Sequence, residues 1–363
     1  MNDLDYMRLA LNLALKAKGK TSPNPLVGAL VVKNNKIIAS GYHRYCGGDH
    51  AEIIALKKAK QKARGARLYV TMEPCSHYGR TPPCVDQIIK SGVAEVVLGM
   101  VDPNPVNNGR SIEKLRKAGI KVKKGFLKEE LKKANEPFIK YIATKMPFVV
   151  AKCAQTLDGK IATFSGQSKW ITSQEARNYA HRLRNEFDAI LAGINTVLKD
   201  NPYLNAAKKS KRIKKIILDS RLRIPLKVNL FKGVKPQDIF IATTGKAQKS
   251  KLRMLSGKGF HVIICPSRQG KVDLRYLFRG LAKREITSIF IEGGSETIGS
   301  ALKARLVDKL LIFMAPKIIG DRKAKGSVSG FRISRVDKAL RLKNLTFRKV
   351  SSKSDDMIIE AYV

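Results

Sequence analysis

The chain has 363 residues, of which 44% are hydrophobic and 28% are charged. This composition excludes disorder as the main state, and a typical domain of roughly 150 residues predicts about two domains. No apolar run reaches the roughly 18 residues of a membrane span, and the N-terminus lacks the pattern of a secretory signal. Five cysteines are too few for a disulfide scaffold, so we expect a cytoplasmic protein with reduced thiols and no membrane partner.

The charge is strongly positive, with 71 lysines and arginines against 29 acidic residues and a net charge of +42. The excess is spread over both halves of the chain rather than confined to a tail. Such a balance suits a generally solvated basic surface, or an anionic partner such as nucleic acid or a phosphate-bearing small molecule. Charge alone does not choose between these two interpretations.

The first half alternates predicted helices and strands. Apolar residues at helical spacing from Leu4 to Leu15 predict an amphipathic helix over 3–18, and apolar runs on either side of Lys33-Asn34-Asn35 predict a hairpin. Further helices are expected at 51–63, 82–91 and about 111–118, and strands at 66–71, 94–100 and 120–124. Alternation of this kind favours a layered α/β sheet.

The second half begins near Pro147, after a mixed helical stretch, and repeats the alternation. We therefore place the domain boundary between residues 145 and 146, giving domains of 1–145 and 146–363. Strands are expected at 148–152, near 188–192, 213–219, 238–242, 260–264, 286–291 and 308–314, and as a final pair near 341–350 and 355–362.

One set of residues in the first half has the chemistry of a zinc site. His50-Ala51-Glu52 opens a predicted helix, Pro74-Cys75 follows a strand, and Cys84 lies nine residues further on. One imidazole and two thiolates bind Zn²⁺ and leave a position for water, whose pKa the metal lowers. Glu52 is not a ligand and lies close enough in sequence to move that water's proton. The pattern matches zinc deaminases of nucleobases, except that eight residues rather than two separate the cysteines.

Four strings in this half carry a resemblance to a known family. They are Ser22 to Gly28, Gly41-Tyr42-His43, Pro74 to Cys84, and Asp102-Pro103-Asn104-Pro105. Together they resemble the deaminase half of the bifunctional deaminase/reductase of riboflavin biosynthesis. The resemblance implies a cytidine-deaminase-like three-layer αβα domain that acts on a phosphoribosylamino-pyrimidine. It also implies substrate contacts at Asn24, His43, Arg80 and Asn104.

The second half has one motif with a mechanism of its own. The predicted strand Ile286–Ile291 runs into Glu292-Gly293-Gly294 and then a helix. Glycines at this position let the backbone approach a phosphate, and the helix N-terminus adds N–H donors. The string is not the dinucleotide fingerprint of a Rossmann fold, and a tight turn is an equally good interpretation of it.

The order of several strings from Pro147 onward resembles the reductase domain of the same family, which is an α/β domain similar to dihydrofolate reductase. The resemblance implies an NADPH cofactor, a hydride transfer to the ribose C1′ and a homo-oligomer. The NADPH site would be lined by Ala154, Trp170, Thr196, Asp200, Gly294, Ser295, Glu296, Thr297, Ile298, Gly299 and Ser300. The substrate would be contacted by Lys152, Ser168, Arg184, Leu204 and Glu292.

One position departs from the family pattern. The family places a phosphate-anchoring arginine three residues after the leucine that corresponds to Leu204, and here that position is Ala207. Loss of a bidentate phosphate contact weakens substrate binding. We hypothesise that Lys208, Lys209 or Lys211 replaces the arginine as a point charge.

Two alternatives to the bifunctional enzyme remain open at this stage. A nucleic-acid deaminase is favoured only by the net charge, and the cysteine spacing and the lack of aromatic residues in Lys208–Lys215 count against it. An active deaminase joined to an inert nucleotide-binding half is favoured only by Ala207. Nucleic acid is therefore not the expected partner; a phosphorylated pyrimidine is.

Overall fold

The computed structural model describes residues 1–78, 82–208 and 210–363. The chain separates into two compact units, Met1–Met146 and Pro147–Val363. Each unit has its own sheet and its own buried core. None of the described helices is both long and apolar enough to cross a membrane.

The first unit is built around one mixed sheet. Its elements in chain order are α1 (Asp3–Leu15), β1 (Gly28–Lys33), β2 (Lys36–Tyr42), α2 (Ala51–Ala59), β3 (Arg67–Met72), α3 (Cys84–Lys90), β4 (Glu95–Met100), α4 (Arg110–Lys117), β5 (Lys121–Lys124), α5 (Lys128–Ala134) and α6 (Glu136–Thr144).

The strand order in the described part of this unit is β2-β1-β3-β4-β5. β1 pairs antiparallel with β2 and β3, whereas β3, β4 and β5 are parallel. One apolar core lies between the sheet and α2, α3 and α4, and a second lies between the sheet and α1 and α5. The helices therefore cover both faces, which confirms the expected three-layer αβα arrangement.

Local chemistry explains where these elements begin and end. The Asn2 side chain accepts a hydrogen bond from the backbone N–H of Asp5. The Asp5 carboxylate accepts one from the backbone N–H of Asn2. Together these two hydrogen bonds form a capping box at the start of α1. At the other end of the unit, Lys145 adopts a left-handed conformation and ends α6 two residues before Pro147. The chain leaves the unit at that point.

The second unit has more strands. Its elements are β6 (Phe148–Thr156), β7 (Lys160–Ala162), α7 (Gln174–Leu183), β8 (Ala189–Gly193), α8 (Ile194–Asp200), β9 (Lys214–Leu218), β10 (Ile239–Thr243), α9 (Lys249–Gly257), β11 (His261–Ile264), β12 (Ser267–Arg268), β13 (Lys271–Val272), α10 (Leu274–Ala282), β14 (Ser288–Ile291), α11 (Ser295–Lys303), β15 (Lys309–Ala315), β16 (Lys325–Gly326), β17 (Lys343–Ser351) and β18 (Ser354–Tyr362).

Nine of these strands, among the described residues, form one sheet in the order β11-β10-β9-β8-β14-β6-β15-β18-β17. The strands from β11 to β15 are parallel, and β18 and β17 add an antiparallel edge. Parallel strands of this kind end at one common edge, where α/β proteins bind their ligands. The ends of β6, β14, β8 and β9 therefore lie side by side at that edge.

The predicted strands and helices are confirmed in type and order, with shifts of a few residues at their ends. The helix expected over 3–18 ends at Leu15, and the segment after residue 59 tightens into a short 3₁₀ turn, 60–63. The two- and three-residue strands β7, β12, β13 and β16 were not predicted. Strands this short contain a single period of side-chain alternation, so no repeating pattern marks them.

Candidate active sites

The first site lies where three elements of the first unit meet. His50 is the residue immediately before α2, Cys84 is the first residue of α3, and Cys75 follows β3. His50 Nδ1 lies 3.1 Å from Cys84 Sγ and 3.7 Å from Cys75 Sγ, and the three ligand atoms lie within 4.8 Å of one another. One nitrogen and two sulfur donors at this separation fit a tetrahedral zinc ion with one open position.

The two thiols of this cluster differ in their protonation. The Cys84 backbone N–H donates to Cys75 Sγ at 3.2 Å. Hydrogen bonds from the Cys84 side chain, from His50 and from this N–H lower the pKa of Cys75 to about 4. The pKa of Cys84 is raised in turn, because the adjacent Cys75 thiolate and burial disfavour a second anion. Cys75 is thus the more acidic of the two thiols, and it is the thiolate form of a cysteine that binds zinc.

Glu52 lies on the first turn of α2 and is 2% exposed. Burial raises the pKa of its carboxyl, and the neighbouring His50 opposes that rise. Its Oε2 has no hydrogen-bond partner among the described residues. A buried carboxylate oxygen without a partner is rare and calls for a ligand. Glu52 therefore fits a group that holds a proton beside the metal's open position.

Asn24 and His43, both predicted substrate contacts, lie together next to this cluster. His43 Nδ1 is 3.1 Å from the backbone oxygen of Asp49, so it carries the ring proton, and Nε2 accepts from Asn24 Nδ2 at 3.1 Å. The His43 ring packs edge-on against His50, with 5.2 Å between centroids. Burial lowers the pKa of His43 and favours its neutral form. The Asn24 amide is thereby held in a defined orientation.

Two buried residues support the loop around Cys75 and were not predicted. Asn107 accepts from the Ser76 backbone at 2.8 Å and donates to the Pro74 oxygen at 3.0 Å, so it clamps both neighbours of Cys75. The Glu73 carboxylate accepts from the backbones of Asp102, Gly109 and Ser111. No local motif marks either residue, because their partners lie about 30 residues away along the chain.

The other two predicted substrate contacts of this unit are Asn104 and Arg80. Asn104 is half-buried in the turn after β4, where its backbone donates to Asp102 and its side chain accepts from Val106. Arg80 lies outside the described residues.

The second site is a cavity of about 650 Å³ at the strand edge of the second unit. It runs from the end of β6, past β14 and β8, to the segment after β9. The predicted residues that line it are Lys152, Ala154, Ser168, Trp170, Thr196, Asp200, Glu292, Gly294, Glu296, Thr297, Ile298 and Ser300. Gly294 immediately precedes α11, so the helix N-terminus opens onto the cavity.

Four predicted residues of this unit are not part of the described cavity wall. Leu204 is 3% exposed and packs in the core, while Ser295 and Gly299 are buried within α11. Arg184 lies behind Glu292 and grips it with two hydrogen bonds: Nε to Oε1 at 2.6 Å and Nη2 to Oε2 at 2.9 Å.

This ion pair determines the charge of Glu292. Burial opposes ionisation, but the facing Arg184 guanidinium, together with Lys152, holds the pKa of Glu292 below its usual range. Glu292 therefore presents a carboxylate, rather than a neutral carboxyl, to the cavity.

The cavity is also lined by cations that the sequence did not single out. They are Arg177, Lys199, Arg221, Arg223, Lys271 and Lys325. In a chain with 71 basic residues, no single lysine or arginine stands out before the fold brings several together. Their charge fits a ligand with several phosphates, as a phosphorylated nicotinamide dinucleotide has. The glycine-flanked helix start supplies the backbone donors that such a ligand needs.

The segment around Ala207 contains the lysines proposed to replace an arginine. The Lys208 backbone donates to Asn185, and burial lowers the pKa of Lys211, which lies near Asp188. Lys209 lies outside the described residues. The replacement hypothesis for these three lysines stays a prediction.

Comparisons with known proteins match both units. Residues 1–100 match the family described as "Cytidine and deoxycytidylate deaminase zinc-binding region", and residues 147–359 match "RibD C-terminal domain". A zinc-dependent deaminase unit followed by a reductase unit defines a bifunctional enzyme. The chain belongs to the RibD family, the deaminase/reductases of riboflavin biosynthesis, with zinc and NADPH as cofactors.

Individual relatives cover nearly the whole chain. The riboflavin biosynthesis protein RibD of Aquifex aeolicus (strain VF5) is 44% identical over 98% of this chain and 97% of its own. A crystal form of Acinetobacter baumannii RibD has a TM-score of 0.89 at 32% identity and covers 99% of this chain and 98% of that one. A Thermotoga maritima structure, a diaminohydroxyphosphoribosylaminopyrimidine deaminase/5-amino-6-(5-phosphoribosylamino)uracil reductase, has a TM-score of 0.85 at 38% identity with the same coverage.

Proposed function

We propose that the chain deaminates 2,5-diamino-6-ribosylamino-4(3H)-pyrimidinone 5′-phosphate and then reduces its ribosyl group to ribityl with NADPH. The unit Met1–Met146 performs the first reaction and Pro147–Val363 the second. The observation that carries the proposal is the pairing, in one chain, of a His-Cys-Cys cluster beside buried Glu52 with a cationic cavity at the strand edge. The similarity to the Thermotoga maritima deaminase/reductase supports the substrate class.

In the deaminase unit, His50, Cys75 and Cys84 hold the zinc ion, which supplies an activated water when bound. Glu52 moves the proton: its carboxylate takes it from the attacking water and passes it to the departing amino group. Burial raises the pKa of Glu52, which brings its carboxyl closer to the range where one group can both accept and return a proton. Asn24 and His43 position the pyrimidine, Asn104 is a further contact, and Arg80 binds the phosphate.

In the reductase unit, NADPH supplies the hydride. Its site is formed by Ala154, Trp170, Thr196, Asp200 and, at the start of α11, by Gly294, Glu296, Thr297, Ile298 and Ser300. Lys152, Ser168 and Glu292, which line the same cavity, orient the ribosyl group. Arg184 acts through Glu292, which it holds by two hydrogen bonds. The carboxylate of Glu292 and the ammonium of Lys152 complement the charge that develops as the ribose opens.

A coupled assay on the zinc-replete protein tests both steps. We expect ammonia release when the diaminopyrimidine is supplied, followed by substrate-dependent loss of NADPH absorbance. Ammonia without NADPH oxidation would contradict the reductase assignment. Absence of ammonia would contradict the whole proposal and favour a nucleic-acid substrate, which salt-dependent retention on single-stranded nucleic acid would then reveal.

We also propose that the enzyme is a cytoplasmic homo-oligomer without a nucleic-acid partner. The thiols support a reducing compartment, since none of the five cysteines is in a disulfide. The edge strand β17 supports assembly: Phe347 is 62% exposed and Leu345 47%. An exposed apolar edge strand is a natural pairing surface.

Light scattering coupled to size-exclusion chromatography tests this assembly. Phe347→Asp should shift the protein to a smaller species, because it places a charge on the apolar face of β17. Thr346→Asp, which adds the same charge at the adjacent strand position, is the control. A wild-type mass equal to one chain would contradict the proposal.

A further inference from the structure

Lys215, on β9, is a buried cation that the reactions above do not use. Only 1% of its surface is exposed, and it is among the largest fully buried side chains of the described residues. Lysine is almost never this buried without partners, because removing an ammonium group from water is costly. The burial of this ammonium group on β9 therefore needs a structural explanation.

The ammonium group uses all three of its N–H donors. Lys215 Nζ donates to the backbone oxygen of Tyr203 at 2.6 Å, to Asn205 Oδ1 at 2.8 Å and to the backbone oxygen of Leu230 at 2.9 Å. Two of the three acceptors belong to the segment that follows α8. Lys215 thus connects this segment to β9 by two hydrogen bonds.

The same segment also forms a hydrogen bond with Arg184. The backbone oxygen of Asn205 accepts from Arg184 Nη1 at 2.9 Å and lies 3.1 Å from His181 Nε2. The remaining donors of Arg184 grip the Glu292 carboxylate, which lines the cavity. A continuous series of hydrogen bonds therefore runs from Lys215 through Asn205 and Arg184 to the wall of the reductase site.

We propose that Lys215 is a positioning residue of the reductase site, which sets the orientation of the Glu292 carboxylate through Asn205 and Arg184. The inference rests on the proposed assignment of Glu292 to the substrate. Lys215 itself touches neither substrate nor cofactor. Gly294 and Thr297, at the start of α11, lie outside this hydrogen-bonded series, so the effect of Lys215 falls on the pyrimidine and spares NADPH.

The test uses the full-length, zinc-replete enzyme and a single substitution. Lys215→Met replaces the side chain by an unbranched one that is a single atom shorter and removes all three donors. With the deaminated pyrimidine as substrate, we expect kcat/KM to fall by about 10- to 100-fold, the size of a small misplacement of a substrate-orienting group. The NADPH dissociation constant, measured by fluorescence titration, should stay within about twofold. Ammonia release from the first unit should be unchanged.

Two further variants separate positioning from a general loss of structure. Lys214→Met removes a lysine from the preceding position of β9 and should leave the kinetics unchanged. Lys215→Arg keeps the donors and should recover part of the loss. Should Lys215→Met fail to fold, Asn205→Ala, at an exposed position, removes one acceptor and should lower kcat/KM in the same direction.

Glu292→Gln distinguishes this inference from the proposed function. If Glu292→Gln impairs reduction and Lys215→Met does not, the positioning role is overturned and the substrate assignment stands. If Lys215→Met impairs reduction and Glu292→Gln does not, the assignment of Glu292 to the substrate fails, and the positioning role proposed for Lys215 through Glu292 fails with it. Equal weakening of NADPH and pyrimidine binding in Lys215→Met would show that the residue is merely structural.

Discussion

At the scale of single residues, an unpaired atom is the clearest sign of function in the first unit. Glu52 Oε2 is buried without a partner among the described residues, and it lies beside the His-Cys-Cys cluster. Elsewhere in the unit buried carboxylates are satisfied, as Glu73 is by backbone donors and a hydroxyl. Glu52 Oε2 is therefore available to a ligand that binds beside the cluster.

We therefore predict that Glu52→Gln lowers the rate of ammonia release by about 10²- to 10⁴-fold, the usual contribution of a general acid-base. Zinc content should be unchanged because Glu52 is not a ligand, and metal analysis checks this. Reduction of the deaminated pyrimidine by the same variant is the internal control. A variant that retained full deaminase activity would rule out Glu52 as the proton carrier.

A second prediction at this scale concerns Lys215 and the pH dependence of the free energy of unfolding. Burial, with a further contribution from Arg184 and against that of Asp238, lowers the pKa of Lys215 from 10.5 to about 8. Between pH 8 and 10.5 the unfolded chain then binds more protons at this position than the folded one, so this group makes folding more favourable as pH rises. Below pH 8 both states are protonated and the cost of burying the charge is fully present.

The measurement is the free energy of unfolding of wild type and Lys215→Met between pH 7 and 10.5. The difference should move in favour of wild type as pH rises above 8, and it should be flat below. Lys214→Met serves as the matched control, with no comparable trend. A difference that stays constant across the range would mean that the pKa of Lys215 is not lowered.

At the scale of elements, close backbone approaches position the helices that carry the sites. Gly299, in the middle of α11, lies under the segment that contains Ser329: a Cβ there would come within 1.7 Å of the Ser329 oxygen. The Ser329 backbone also donates to the Ser295 oxygen at 3.3 Å. This contact holds the start of α11 against its neighbour, at the place where the helix faces the cavity.

Gly299→Ala should therefore displace α11 or the Ser329 segment and weaken NADPH binding. We expect a loss of stability of about 1–3 kcal/mol, as for other overpacked positions, together with a raised dissociation constant for NADPH. Gly257→Ala, in α9, is the control because a Cβ there meets no atom within 4 Å. Fluorescence titration and thermal unfolding report both effects; unchanged NADPH affinity would contradict the role of α11.

Element positions also explain how much of the sites could be predicted. His50, Glu52 and Cys84 lie at helix starts and Cys75 at a strand end, so short motifs mark them. Helix starts and strand ends depend on neighbours a few residues away. Asn107, by contrast, reaches its partners across about 30 residues, and no local pattern encodes that contact.

At the scale of the whole molecule, the two units carry separate chemistry. Each has its own core, and the cofactors differ in kind, a metal ion in one and a dinucleotide in the other. Part of the net charge of +42 is located at the cavity of the second unit, where several cations line the wall. Family membership favours the bifunctional enzyme over the two alternatives considered from sequence.

Because the zinc ligands all belong to the first unit, removal of the metal should separate the activities. Dialysis against a chelator should abolish ammonia release, and added Zn²⁺ should restore it. NADPH-dependent reduction of the deaminated pyrimidine should persist in the metal-free protein. Loss of both activities on chelation would show that the second reaction also depends on the metal.

The two α/β domains, the order of their main elements and the zinc cluster with Glu52 could be predicted from the sequence, since all of these depend on local periodicity and short motifs. The pairing of Arg184 with Glu292, 108 residues apart, the burial of Lys215 and the clustering of cations around one cavity became visible only in the folded chain. These features arise when strands distant in the chain become neighbours in the sheet. The physical reason is that a buried charge acquires its partners only through that packing, and in a lysine-rich chain no single cation reveals in advance which one will be buried.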